Sequence, residues 1–539
     1  MKRNLVSLLI VVLSLSMLLS ACAGSPPAAV GAAEGEPTQA APAAADPGEP
    51  KYGGRLNVTI SAEPSSLDIM LNANSSEPAQ IPASHIFETL LSADLEGNPH
   101  PTLCTYTTSE DGKTLTLTMR ENVKFHNGDT MDIGDIKATI DRWLRNSNFA
   151  KTAVGEKLDS IEYPDDKTVV FHFKEVSPLA LIALCSYDQG PYVMPKEILE
   201  AAVDDNVSEY IGTGPYKFVE WLPDRHIRLA RFEDYQPYES DASGMAGTKH
   251  AYVDELYVIP VKDKMTRITG VQTGDYDIGF GVPDNMYPQL AADPNLKCVV
   301  QDMGIFASMV FNYKQGPTAD VNFRKAVMKC LNMDDLMLAA QGSPDFYYLH
   351  PCWIAKSSAF WNDIGSDIYN KPDLEEAKML LALTDYKGET LTFITTKDND
   401  YFYKTALLVC DSIRKIGINV DLQVYDNATL QQLRGDPTKY NIFSSGITSK
   451  DDPTLISFMG EGWPGEYSSE KKTEIMSKMV SEPDPQKRIE LWKEACTIIY
   501  DELPAVTFGE RRIGTVTSKK VQNLFEGTRK YFWNVWVTE

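Results

Sequence analysis

Apolar and polar positions along the chain follow two rhythms that place much of the regular structure. Residues 389–396 are rich in Thr, Leu, Phe and Ile and predict a strand. Residues 402–416 repeat at helical spacing. Ile418, Val420, Leu422 and Val424 then alternate strictly, as a half-buried strand does. Asp373 is placed to cap a helix running through Leu381, with Glu375 and Glu376 in its first turn. Tyr440 to Ser445 predicts another short strand. Strands alternating with helices imply an α/β domain with a largely parallel sheet, in which binding sites favour the carboxyl ends of strands. The region 85–210 differs. Leu115, Leu117 and Met119 alternate, as do Val169, Phe171 and Phe173, and Tyr163 to Lys167 is a polar turn of hairpin type. This predicts a smaller α+β unit.

The hydrophobic pattern at the start of the chain has another meaning. Lys2 and Arg3 precede an apolar stretch from Leu5 to Leu19, broken only by Ser7, Ser14 and Ser16. Leu19-Ser20-Ala21-Cys22 follows. A run this short is a poor permanent span but suits a secretory signal. The tetrapeptide resembles the bacterial lipobox, which implies cleavage after residue 21 and lipidation of Cys22. Residues 22–50 are dominated by Ala, Pro, Gly and Glu without an aromatic residue. They cannot bury enough apolar surface to offset their conformational entropy, so a disordered tether is expected.

Roughly 490 residues remain, enough for two or three domains. Aromatic residues number 53 in a chain that is 43% hydrophobic, which fits well-packed globular cores. The formal charge of −24 becomes −26 once Lys2 and Arg3 are removed, which argues against nucleic acid as a partner. Seven cysteines follow Cys22, widely spaced and without a CxxC, a pattern of mostly buried free thiols.

Signs of catalysis are missing from the pattern. None of the seven histidines lies three to five residues from another, so no HExxH or helical ligand pair exists. No GxSxG, P-loop or GxGxxG occurs. The SxxK from Ser468 to Lys471 has no supporting SDN or KTG. No enzyme activity, metal or cofactor is expected.

Several motifs occur in a fixed order. Tyr52-Gly-Gly-Arg-Leu56 opens a first strand, and Ser61-Ala-Glu-Pro-Ser-Ser-Leu-Asp68 follows. Then come Phe87-Glu-Thr-Leu-Leu91 and Met119-Arg-Glu-Asn-Val-Lys-Phe-His-Asn-Gly-Asp129. Gly212-Thr-Gly-Pro-Tyr216, Thr273-Gly-Asp-Tyr-Asp277 and Asp320-Val-Asn-Phe-Arg-Lys-Ala326 complete the series. Together they resemble the family 5 extracellular solute-binding proteins, which include the oligopeptide-, dipeptide- and nickel-binding components of ABC importers. The resemblance runs from about residue 51 to 539. It implies a periplasmic-binding-protein-like fold (type II, cluster C): two lobes and an extra α+β subdomain. Domain I would comprise 51–84, 211–306 and 506–539, domain II 85–210, and domain III 307–505. Hinges are expected near Ile305–Phe311 and Leu503–Phe508, with ligand held between domains I and III.

The resemblance also implies a place for the ligand. In peptide binders of this family an aspartate four residues before the proline of an acid–Pro pair holds the peptide's amino group. Here the pair is Asp452-Pro453 and the matching residue is Ser449, with Asp451 as the nearby acid. Gly446, Ile447 and Thr448 are expected to supply backbone groups along the cleft. Glu63 and Asn312 are further candidates, and Trp463 offers a stacking surface. A lipid-anchored, monomeric extracytoplasmic receptor for a peptide or peptide-like solute follows, with a permease as partner. An oligosaccharide or opine-like solute is the alternative, and a secreted hydrolase is the rival from another class.

Overall fold

The computed structural model describes residues 48–538, the Asn72 side chain excepted. The signal segment, Cys22 and all but the last residues of the tether lie outside the described residues. From Glu49 onward the chain forms one unit, built around a sheet of eleven strands.

The sheet is organised by two long strands, Leu296–Phe311 and Ala505–Ser518, which pair antiparallel along most of their lengths. On one side, Ile305 to Phe311 pairs with the strand Ile442–Thr448, followed outward by Leu391–Thr396 and Val420–Tyr425. On the other, Gly514 to Thr517 pairs with Ile278–Val282. Arg55–Ile60, Glu255–Pro260, His226–Arg231 and Tyr216–Leu222 continue from there. The parallel sheet expected of the strands between 389 and 445 forms, since Leu391–Thr396 pairs parallel with both Val420–Tyr425 and Ile442–Thr448, but it does not extend through the whole sheet. Parallel pairing is confined to two blocks, 391–448 and 55–282, and the strands joining them are antiparallel. Periodicity reports which face of a strand is buried and carries no information on the direction of its neighbour.

Where the two blocks meet, register slips between Asp302 and Ile305 and again between Ala307 and Ser308. Gly304 sits in the first slip at φ 62°, a backbone state that glycine adopts without strain.

Side chains alternate across the sheet, so successive residues serve different cores. Ala307, Met309 and Phe311 join Phe393 and Ile442 on one face, whereas Phe306 and Val310 join Ile394, Phe443 and Ile447 on the other. The predicted helix after Asp373 runs Leu374–Ala382, and the Asp373 carboxylate accepts the Glu375 and Glu376 N–H groups at 3.0 and 2.9 Å. The helix predicted over 402–416 runs Asp400–Arg414.

Region 85–210 contains the antiparallel sheet Cys104–Thr108, Thr114–Met119, Thr168–Phe173 and Leu158–Glu162, the last two joined by the predicted hairpin turn. One continuous core joins this sheet to the 55–282 block, from Leu56 and Leu256 to Leu117 and Phe171. A buried bidentate ion pair supports the junction. Arg142, in the helix Ile133–Asn146, donates to both Asp68 carboxylate oxygens at 3.0 and 2.7 Å. Asp68, the last residue of the Ser61–Asp68 motif, is thereby a structural anchor.

The two most specific motifs interlock. The His126 N–H donates to Gly212 O (3.0 Å), Gly212 N–H donates to His126 Nδ1 (3.3 Å), and His126 Nε2 bonds Gly214 O (2.9 Å). Burial pushes the imidazole pKa down to about 4, and the pattern of bonds suits a neutral ring that donates from Nε2. His126 serves as a clasp between chain segments.

Candidate ligand-binding site

The carboxyl end of Ile442–Thr448 delivers the chain into a polar chamber of about 170 Å³. Thr448 still pairs with Ile305. Ser449 N–H then bonds Gly304 O at 2.7 Å, and Ser449 Oγ accepts Ala355 N–H at 2.9 Å. Asp451 and Asp452 diverge from that point. Asp452 turns inward, is fully buried, caps the turn Pro453–Leu455 through Thr454 N–H (2.9 Å), and is ion-paired with Arg488. Asp451 stays at the chamber wall with a side chain 38% exposed.

A second wall comes from the C-terminal tail. His85 holds it: His85 Nδ1 bonds Ile81 O at 2.7 Å, leaving Nε2 to accept Phe532 N–H at 2.8 Å. Burial drives the His85 pKa down to about 4, which keeps Nε2 unprotonated and able to accept. The anchored tail presents Arg529. Its guanidinium lies over the Tyr187 ring at 5.1 Å and bonds Asp188 Oδ1 at 2.8 Å and Asp451 Oδ2 at 3.4 Å. Burial disfavours its charge, but the Asp188 and Asp451 carboxylates outweigh this and raise its pKa above the ordinary arginine value.

The third wall is the turn from Asp94 to Asn98. The Asp94 carboxylate accepts Asn98 N–H at 2.7 Å and meets His100 Nε2 at 2.9 Å. Burial opposes its ionisation, yet these hydrogen bonds hold its pKa below the usual value. Asp94, Glu96, Asp451 and Glu526 face Lys450 and Arg529 around the chamber, so acids outnumber bases. The arrangement favours a cationic group, and nothing in it resembles a nucleophile held against a base.

Residues 98–466 match the family described as "Bacterial extracellular solute-binding proteins, family 5 Middle". The chain belongs to this family. Among curated relatives, the probable peptide ABC transporter periplasmic-binding protein y4tO of Sinorhizobium fredii is 27% identical over 476 residues, covering 85% of this chain and 89% of the relative. Among solved structures, the ABC transporter substrate-binding protein CtaP of Listeria monocytogenes superposes with a TM-score of 0.77 at 18% identity, covering 91% of this chain and all of that one. The oligopeptide-binding protein AppA of Bacillus subtilis, solved with a nonapeptide, gives 0.70 at 19% identity, covering 91% and 100%. The two structural likenesses bear on the fold, which is the type II periplasmic-binding fold of the family.

In this family 5 protein, three of the residues singled out from sequence come together at the chamber: Thr448, Ser449 and Asp451. Gly446 and Ile447 lead into it within the strand. Ile447 is buried in a core, and a Cβ on Gly446 would stand 2.5 Å from the Tyr401 hydroxyl. Glu63, Asn312 and Trp463 are not brought to the chamber wall. Glu63 accepts the Trp221 indole N–H at 2.5 Å. Asn312 is fully buried, and its amide donates to Pro437 O and Tyr440 O at 2.7 and 3.1 Å, so its polar atoms are engaged in shaping a turn. Trp463 packs against Phe443 with Arg434 over its ring. Sequence reasoning missed Arg529, Asp94 and the Tyr187-Asp188 pair. Arg529 lies in a short polar run with no periodicity, and Tyr187-Asp188 follows a helix of only six residues, so no local signal marked them.

Proposed function

We propose that this chain captures a peptide or peptide-like solute in the chamber beside Asp451 and delivers it to the permease of an ABC importer, acting by binding without turnover. The observation that carries this reading is the loose hold on Asp451. Arg529 keeps its closer bond to Asp188 and reaches Asp451 only at 3.4 Å. A ligand ammonium can therefore take over the Asp451 carboxylate while the guanidinium stays paired, and no buried charge is stranded. Ser449, at the family's expected aspartate position, contributes its backbone and hydroxyl to the shape of the loop.

The division into domains I, II and III at the boundaries given above belongs to the same proposal. The register slips around Gly304 support a hinge where the two sheet blocks join. Closure about it would let ligand shift the population toward a form that the permease reads. The relative named as a peptide-transport binding protein supports a peptide cargo, and Trp463, packed away from the chamber, gives no support to sugar stacking.

Isothermal titration with a peptide panel tests the reading. Asp451→Asn should weaken binding of free-amine peptides about 10- to 100-fold, as expected for losing a charge-assisted hydrogen bond worth about 1.5–3 kcal/mol. N-acetylated peptides should be affected far less. Equal affinity of wild type and variant for a free-amine peptide would count against Asp451 as the acceptor.

The protein is further proposed to work as a monomer outside the cytoplasm, tethered through lipid on Cys22. Two or three acyl chains, each buried methylene contributing about 0.8 kcal/mol, hold a protein firmly to a bilayer. Cys22→Ser should leave the protein out of the detergent phase in Triton X-114 partitioning, where wild type is expected. Unchanged partitioning of the variant would exclude lipidation at this position.

A further inference from the structure

A second, larger chamber adjoins the polar one. This neighbour measures about 670 Å³ and shares Asp94, Glu96, Gly97 and Asp451 with the first. One side is the α+β region, contributing Phe173, Val176, Leu181 and Ile182. The other comes from the 307–505 region, contributing Phe360 and Pro483. Val176, Leu181, Ile182 and Phe360 are only half-buried, so part of their apolar surface is left to face the space. Of the charged groups that border it, Asp94 pairs with His100 and Asp452 with Arg488, which leaves Glu96 and Asp451, both shared with the polar chamber. At the far side the walls touch. A Cβ on Gly112 would lie 3.2 Å from both Pro483 and Val176, and Lys157 Nζ bonds Val176 O and Val480 O, each at 3.2 Å. The shared residues form the border with the polar chamber. Gly97 stands there, and a Cβ on it would meet only Asp451 O, at 3.9 Å.

Size and chemistry together narrow the ligand. Sites for small molecules typically span about 300–1,000 Å³ and are lined mainly by apolar groups with a few placed polar ones. The polar chamber alone falls short of that range, and the charged groups that line only the apolar one are all paired. The pair satisfies both conditions. We infer that the solute is amphipathic, with an ammonium-bearing head beside Asp451 and an aromatic or branched aliphatic group in the apolar chamber. This deepens the proposed function by naming the class of side group, and its ammonium rests on that reading.

The decisive experiment is titration calorimetry on protein unfolded and refolded to release any retained solute. The probes are Ala-Ala-Ala, Ala-Phe-Ala, Ala-Ala-Phe and the non-peptide amine 4-phenylbutylamine. At least one Phe-containing peptide should bind tenfold or more tighter than Ala-Ala-Ala, the scale expected for burying one aromatic side chain. Leu181→Gln and, from the opposite wall, Phe360→Ala should each reduce that preference to about threefold or less, through weaker binding of the Phe-containing peptide. Tripeptide binding with no aromatic preference would overturn the amphipathic inference and leave the peptide reading standing. Binding of phenylbutylamine without any tripeptide would uphold the amphipathic ligand and overturn the peptide. Failure of every probe to bind would overturn both.

Discussion

Arg488→Met is expected to destabilise the protein by about 3–5 kcal/mol, the usual consequence of stranding a buried charge. Asp452 is fully buried and Arg488 nearly so, and they form an ion pair in which Arg488 also donates to Met479 O. Removing the guanidinium leaves Asp452 with only the Thr454 N–H and hydroxyl, at 2.9 and 2.6 Å, to balance its charge. The effect reaches the candidate site because Asp452 follows Asp451 directly. Urea unfolding monitored by tryptophan fluorescence reads the change, since Trp492 is buried one turn beyond Arg488 on the helix Pro485–Glu502. The double variant Arg488→Met/Asp452→Asn keeps the cap and removes the charge, so it should recover part of the loss. A double variant no more stable than Arg488→Met would show that packing, not charge, dominates there.

Gly212→Ala should be comparably severe, at about 3 kcal/mol or more, for a reason unrelated to charge. A Cβ at Gly212 would lie 2.1 Å from Ile86 O and 2.7 Å from Phe87 Cδ1. Backbone stands against backbone, so no side chain can swing aside. The segment cannot retreat either, because Gly212 bonds His126 through both its N–H and its carbonyl. Gly128→Ala is the informative comparison. Gly128 has φ 93°, but a Cβ there would meet nothing within 4 Å, so only backbone strain of about 1–3 kcal/mol opposes the substitution. Equal losses of urea midpoint in the two variants would overturn close approach as the reason for glycine at 212.

Individual strands and helices were legible wherever burial has a period. The strand alternating through Ile418 to Val424 forms as Val420–Tyr425, and the helix capped by Asp373 begins at the next residue. The order of motifs was equally informative, since it led to the family whose pattern residues 98–466 match. The part of the candidate site that could be read locally is the part continuous in sequence, Thr448, Ser449 and Asp451, which line the chamber at the end of one strand. Asn312 was singled out by the same logic and lies away from the chamber. A polar residue at a strand end is as well suited to holding its own turn as to holding a ligand, and only its partners distinguish the two.

The sequence by itself determined the elements, the glycine-bearing motifs that lock the segments together, and the family, because these depend on residues near one another or on their order along the chain. Tertiary structure alone decided which strands run antiparallel between the two sheet blocks, that Arg529 meets Asp451 across 78 residues and Asp188 across 341, and that an apolar chamber adjoins the polar one. The physical reason is common to all three. Coulombic attraction, hydrogen bonding and cavity shape act through space over a few ångströms, and periodicity along a chain records only whether a residue is buried, never which distant residue buries it.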